Sequence, residues 1–236
     1  MKSRFTVIVA LLLLLFTSCK KSISYDNFAG FVQGTTYSMI FENNGKLNPQ
    51  ELKSEVEKIL HDFDMSLSLY VDSSILSKVN RNEDVIVDAF FTEAFKKSAQ
   101  ITEMTDGAFD ITVGPLVKAW GFGPDSQKNF SETKRDSLLK LVGMDKVKIE
   151  SGKIVKADPG INLDFNAIAQ GYSVDIICGF FNSKGIKRYL VEIGGEVRVK
   201  GDKQGVMWRI GIDRPADDNN VPGNDLQVVI SLKDRS

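Results

Sequence analysis

Three segments of the 236-residue chain place carboxylates, amides and glycines where they can do chemistry. In Asn162-Leu163-Asp164-Phe165-Asn166-Ala167-Ile168-Ala169-Gln170-Gly171-Tyr172 a short strand feeds into a helix, with Asp164 at the strand end. The first amides of a helix lack intrahelical acceptors and turn their positive ends toward a phosphate, which a divalent cation can bridge to carboxylates and exposed carbonyls. Gly171 lies inside the helix at a cost of roughly 1 kcal/mol relative to alanine. Close approach of a ligand or neighbouring backbone accounts for it, and so does an ordinary packing contact. In the run from Thr105 to Leu116, Asp110 follows a glycine turn and can receive hydrogen bonds from backbone or ligand. Glu192-Ile193-Gly194-Gly195-Glu196 is either a simple hairpin or a turn that brings main-chain amides to a flat ligand. Trp120-Gly121-Phe122-Gly123-Pro124 either walls a pocket or packs as a surface loop.

Several familiar chemistries are excluded. A single histidine, His61, rules out a His-Glu-x-x-His metal site, and the two cysteines, Cys19 and Cys178, have no close thiolate partner. The chain has no P-loop, no Gly-x-Gly-x-x-Gly fingerprint and no Gly-x-Ser-x-Gly elbow. Thirty basic residues against 31 acidic ones give a net charge of -1, which offers no field for nucleic acid. A hydrophobic content of 42% supplies a core without disulfides.

The elements that must position these turns read as an α+β fold, a mixed or antiparallel β-sheet core packed with helices. A first strand is expected over Phe31 to Phe41. A helix capped by Asn48 follows, with Pro49 in its first turn and Glu51 completing a capping-box-like pattern. His61 falls beside its apolar stripe. A second helix runs from the cap Asp88 to Thr105-Asp106-Gly107, and a third from Ser131 through Leu141. Val147 to Ile149 and Ile154 to Ala157 flank Ser151-Gly152 as a hairpin. A fourth helix spans Ala167 to Asn182, capped by Asn166, stopped by Gly185 and apolar on most sides, as in a buried element. Tyr189 to Ile193, Val197 to Val199, Trp208 to Ile212 and Leu226 to Ile230 read as strands. The last needs a partner: it pairs with an earlier segment, or a C-terminal portion is missing.

The front end reads as a lipoprotein signal over residues 1–18. Lys2 and Arg4 precede an apolar run from Phe5 to Phe16, and Thr17-Ser18 lead to Cys19, the lipidated residue. Residues 19–27 form a tether and residues 28–236 the folded body, facing the periplasm or exterior of a bacterial cell envelope while anchored to a membrane.

Together the motifs resemble the ApbE family of flavin transferases from about Gly34 to Pro215. The resemblance is carried by Gly34-Thr35-Thr36, Ser68-Leu69-Tyr70 with Asp72-Ser73, Thr105 to Gly123, Leu163-Asp164, Ile168 to Tyr172 with Asp175, Gly194-Gly195-Glu196, and Trp208 with Ile210-Gly211-Ile212. It implies magnesium-dependent transfer of FMN from FAD to a threonine hydroxyl of a target protein, with release of AMP. Hydrolysis of FAD to FMN and AMP, or non-catalytic flavin binding, are the alternatives. By the resemblance, Gln33 takes a flavin-contact position often held by methionine, and Tyr70 packs near the cofactor. Ala108, Phe109, Asp110 and Asp164 contact FAD, and the Ala167 carbonyl binds magnesium. Gln170 stands where many relatives have lysine, retaining a hydrogen-bonding amide without the charge. No Asp-Pro-x-Thr-Gly-like motif completes the metal site, so a longer gene product is expected and the general base is unassigned. The implied partners are exported or membrane-bound flavin-accepting subunits of electron-transfer complexes, with no nucleic acid.

Overall fold

A computed structural model describes residues 23–124, 130–216, 221 and 223–236. The expected lipoprotein signal over residues 1–18 lies outside the described residues, and no described helix is long and apolar enough to cross a membrane. The fold is α+β with antiparallel sheets packed by helices.

The stretch expected as one strand over Phe31–Phe41 is two. Strands β1 (Tyr25–Val32) and β2 (Thr35–Glu42) pair antiparallel across a turn at Gln33 and Gly34, whose φ values are 53° and 74°. Two positive φ angles match the twist of a two-residue hairpin. The sequence hides this turn because glutamine is not a usual left-handed residue and β-type residues continue on both sides. Residues 25–27, read as tether, already belong to β1: the Tyr25 ring packs edge-on against Trp208 at 5.9 Å, and its hydroxyl donates to the Asp202 carbonyl at 3.1 Å.

Helix α1 (Pro49–Leu67) starts as expected, with the Asn48 side chain accepting from Gln50 N at 3.0 Å and donating to Glu51 at 3.1 Å. Helix α2 (Ile75–Asn80) is too short to show periodicity and was not expected. Helix α3 (Ala89–Met104) is capped by Asp88, which accepts from Phe91 N at 2.8 Å. Helix α4 (Gly114–Trp120) is a second unforeseen short helix, and α5 (Glu132–Leu139) ends two residues before the expected Leu141. The hairpin of β3 (Val147–Glu150) and β4 (Lys153–Lys156) turns at Ser151-Gly152.

Helix α6 (Asn166–Ser183) begins one residue earlier than expected, with Asn166 inside it and Phe165 as its N-cap. Asp164 supplies the cap-like bond instead, its Oδ1 accepting from Asn166 N at 2.8 Å. Strands β5 (Tyr189–Ile193) and β6 (Glu196–Lys200) complete an antiparallel sheet of order β1-β2-β5-β6. Strand β7 (Trp208–Asp213) supplies the neighbour that β8 (Leu226–Leu232) requires.

The core falls into two apolar clusters. One packs the main sheet against the first part of α1 and the later part of α6, through Met39, Phe41, Val56, Ile177 and Phe181. The other gathers the end of α1 with α2, α3 and the extended segment around Leu163, through Phe63, Leu76, Phe91 and Phe165. Helices α1 and α6 pass from one cluster to the other, and a cleft opens at that seam.

Candidate functional site

The cleft has a volume of about 690 Å³, and its walls include Gln33, Asp64, Ser68, Tyr70, Asn166 and Gln170. Three of the residues singled out in the sequence, Gln33, Tyr70 and Gln170, therefore meet in one space from three distant segments. Apolar Phe63, Leu67 and Ala169 also line it. Tyr70 is 67% exposed, leaving a ring face for stacking. A volume of this size lies within the usual range of small-molecule sites.

Local chemistry explains how these groups are presented. Gln33 sits on the left-handed turn between β1 and β2, and its Oε1 accepts a long bond from Ser173 Oγ at 3.4 Å. Its Nε2 is buried without a hydrogen-bond partner of ordinary geometry. The same amide lies close enough to Asp64 to favour the charged carboxylate, although burial outweighs this and raises the Asp64 pKa above 3.8. Gln170 lies against the β5–β6 turn: a Cβ at Gly194, where φ is +59°, would come within 2.7 Å of Gln170 Nε2. That turn is a hairpin, with Gly195 N donating to Glu192 at 2.8 Å. A Cβ at Gly171 would meet Glu196 at an ordinary 3.7 Å, so no protein neighbour imposes glycine there.

Asp164 lines an adjoining cleft of about 290 Å³ together with Leu69, Asp72, Lys118 and Phe122. The two clefts flank the segment from Ser68 to Asp72. The strand expected ahead of α6 is an extended segment with one parallel bridge, Val113 to Asn162. Asn80 stands in for a second strand: its Nδ2 donates to the Leu163 carbonyl at 2.9 Å, and its Oδ1 accepts from Leu163 N at 2.8 Å. Sequence reasoning missed Asn80, because nothing local marks an asparagine at the end of a short helix as the partner of a segment 83 residues away.

The start of α6 is more self-satisfied than its sequence suggests. Asp164 takes the N–H of Asn166, while Ile168 and Ala169 both donate to the Phe165 carbonyl at 2.9 Å. Burial raises the Asp164 pKa, and the Asn166 bond only partly opposes it. Asp110 is engaged as a local staple, with Oδ1 accepting from Thr112 N at 2.8 Å and Oδ2 from Met144 N at 3.0 Å. Ala108 is exposed and Phe109 half-buried on the same loop, and neither borders the two clefts. Exposed Ala167 offers a main-chain carbonyl in the first turn of α6, but among the described residues no three His, Cys, Asp or Glu side chains converge to hold a metal. Cys178 is buried, and burial pushes its thiol up to about 11, so it is not a ready nucleophile.

Fold and cleft together define an α+β protein built around an open, mixed polar and apolar cleft at the seam of two cores. The chain belongs to the ApbE family, whose model matches residues 33–236. It is 34% identical over 213 residues to the FAD:protein FMN transferase of Vibrio cholerae, covering 87% of this chain and 64% of that protein. The corresponding protein of Haemophilus influenzae is 32% identical over 222 residues, covering 89% and 64%. The chain thus spans 64% of the length of these two relatives. Among solved structures, the flavin transferase ApbE from Vibrio cholerae superposes with a TM-score of 0.79 at 31% identity, covering 90% of this chain and 70% of that one. The apo flavinyl transferase ApbE of Pseudomonas stutzeri gives 0.78 at 30% identity, covering 89% and 67%.

Proposed function

We propose that this chain carries the flavin-nucleotide site of an enzyme that moves FMN from FAD to a threonine hydroxyl of a protein. The threonine Oγ forms a bond to the FMN-side phosphorus, the diphosphate P–O bond breaks, AMP leaves, and the hydroxyl proton passes to a base. The observation that carries this reading is the meeting of Gln33, Tyr70 and Gln170 in one cleft within a chain matched to the family over residues 33–236. The orphaned Nε2 of Gln33 is the kind of buried donor that a bound heterocycle satisfies.

In this reading Tyr70 offers a stacking face, Gln33 and Gln170 donate to ring or phosphate oxygens, and the Ala167 N–H faces the diphosphate. Asp164 fixes the start of α6 through Asn166. Magnesium would offset charge on the diphosphate. The Ala167 carbonyl is the one ligand proposed from this chain, with phosphate oxygens and water as the others, since magnesium keeps several waters when it binds nucleotides. We place the acceptors among exported or membrane-attached electron-transfer subunits, and the chain on a membrane through lipidated Cys19. The resemblance and the order of residues 1–19 support both.

The test is incubation with FAD, magnesium and a threonine-containing acceptor, followed by mass spectrometry. A flavin-phosphate adduct on threonine, abolished by a chelator, is the expected result. Free FMN and AMP with no adduct would mean hydrolysis instead. FAD retained without AMP release would mean a carrier.

A further inference from the structure

We infer that Asp64 and Gln33 form a donor–acceptor pair that grips the edge of the ligand's ring, where a ring acceptor adjoins an N–H. This deepens the proposed function and rests on the main cleft being the FAD site. Asp64 lies in the last turn of α1 and Gln33 on the β1–β2 turn, and both border the 690 Å³ cleft. Gln33 Nε2 is buried without a hydrogen bond of ordinary geometry, and it lies close enough to Asp64 to favour that carboxylate's charged form. A buried donor such as this one, left unpaired, costs about 1–3 kcal/mol, and the neighbouring carboxylate has oxygen left to accept a second N–H.

The pattern selects the ligand's chemistry. Gln33 donates from Nε2 to a ring oxygen or nitrogen, while Asp64 accepts the adjacent N–H. An imide edge, C=O beside N–H, meets both demands, as do the ring nitrogen and exocyclic amine of adenine. FAD carries one of each, so the chemistry is shared and the two ends must be separated experimentally. Phe63, Leu67 and Ala169 line the same space and hold the ring body away from water, which strengthens the edge bonds.

The experiment measures affinities of FAD, riboflavin, N3-methylriboflavin and AMP for the unsubstituted chain and for Asp64→Asn, Asp64→Ala and Gln33→Leu. Riboflavin is expected to lose about tenfold in affinity with each single variant, the size of one lost hydrogen bond. N3-methylriboflavin should bind the unsubstituted chain about tenfold more weakly than riboflavin does, a comparison that needs no variant. Losses confined to AMP would support the pair while assigning it to adenine. Unchanged riboflavin and AMP affinities in folded Asp64→Ala, with FAD still bound by the unsubstituted chain, would overturn this inference alone. Failure of the unsubstituted chain to bind FAD would overturn it together with the reading of the cleft.

Discussion

At the scale of single residues, burial sets the chemistry more than charge pairing does. Asp64 and Asp164 are both held above the ordinary 3.8 by desolvation. Between 3.8 and the raised values, the folded state binds more protons than the unfolded chain. Their ionisation therefore weakens the fold as pH rises through that window, and protonation restores stability as pH falls. Asp164→Asn keeps an oxygen to accept from Asn166 N but removes the buried charge. It should flatten this part of the melting-temperature profile and leave the neutral-pH value equal or higher; a steeper profile would contradict the account. Lys156 shows the opposite sign. Burial lowers its pKa to about 8 while Nζ donates to the carbonyls of Val79 at 3.0 Å and Ile161 at 2.9 Å. Its contribution to stability should rise with pH between about 8 and 10.5. In melts compared with Lys156→Met, the difference between the proteins should change across that window, and parallel curves would refute it. The residue types at 64, 156 and 164 were visible in the sequence; their burial was not.

At the scale of elements, long helices declared themselves through caps and periodicity, whereas short ones did not. Asn48 and Asp88 begin α1 and α3 where their sequences say, and Gly185 follows α6 with φ +75° and bonds back to Asn182 at 3.0 Å. The six-residue α2 and seven-residue α4 carry too few turns for a pattern. Each positions the candidate site through a contact distant in sequence. Asn80 ends α2 and pairs with both main-chain groups of Leu163. Gly114 begins α4, where a Cβ would come within 2.6 Å of the Asn162 carbonyl oxygen. Asn80→Ala leaves the Leu163 N–H and C=O unpaired beside a fully buried side chain, and should cost about 1–3 kcal/mol in urea denaturation. A loss below about 0.5 kcal/mol would show that water replaces the asparagine. Gly114→Ala should destabilise by a similar amount, roughly 1–3 kcal/mol, by forcing α4 away from that segment; an unchanged denaturation midpoint would count against the close approach.

At the scale of the whole molecule, two cores share α1 and α6, and their seam makes the cleft. The same view exposes a weakness at the far end. In the β7–β8 hairpin, Trp208, Ile210 and Ile212 pair with Leu232, Ile230 and Val228, so all six share one face. Trp208 is only 3% exposed, but Ile212, Val228 and Ile230 are 44%, 45% and 36% exposed. Among the described residues nothing covers that end, and an exposed apolar strand face favours association. Val228→Thr with Ile230→Thr should lower light scattering as concentration rises; identical scattering would show that the face is not adhesive. What the amino-acid order alone determined was the α+β alternation, the caps of the long helices and the residue types of Gln33, Tyr70, Asp164 and Gln170, because these follow from local backbone preference and side-chain chemistry. Tertiary structure decided that Gln33, Tyr70 and Gln170 meet, that Asp64 joins them, and that Asp164 is spent on Asn166. Such meetings depend on two separate cores closing against shared helices, and no local pattern encodes the distance between segments that burial brings together.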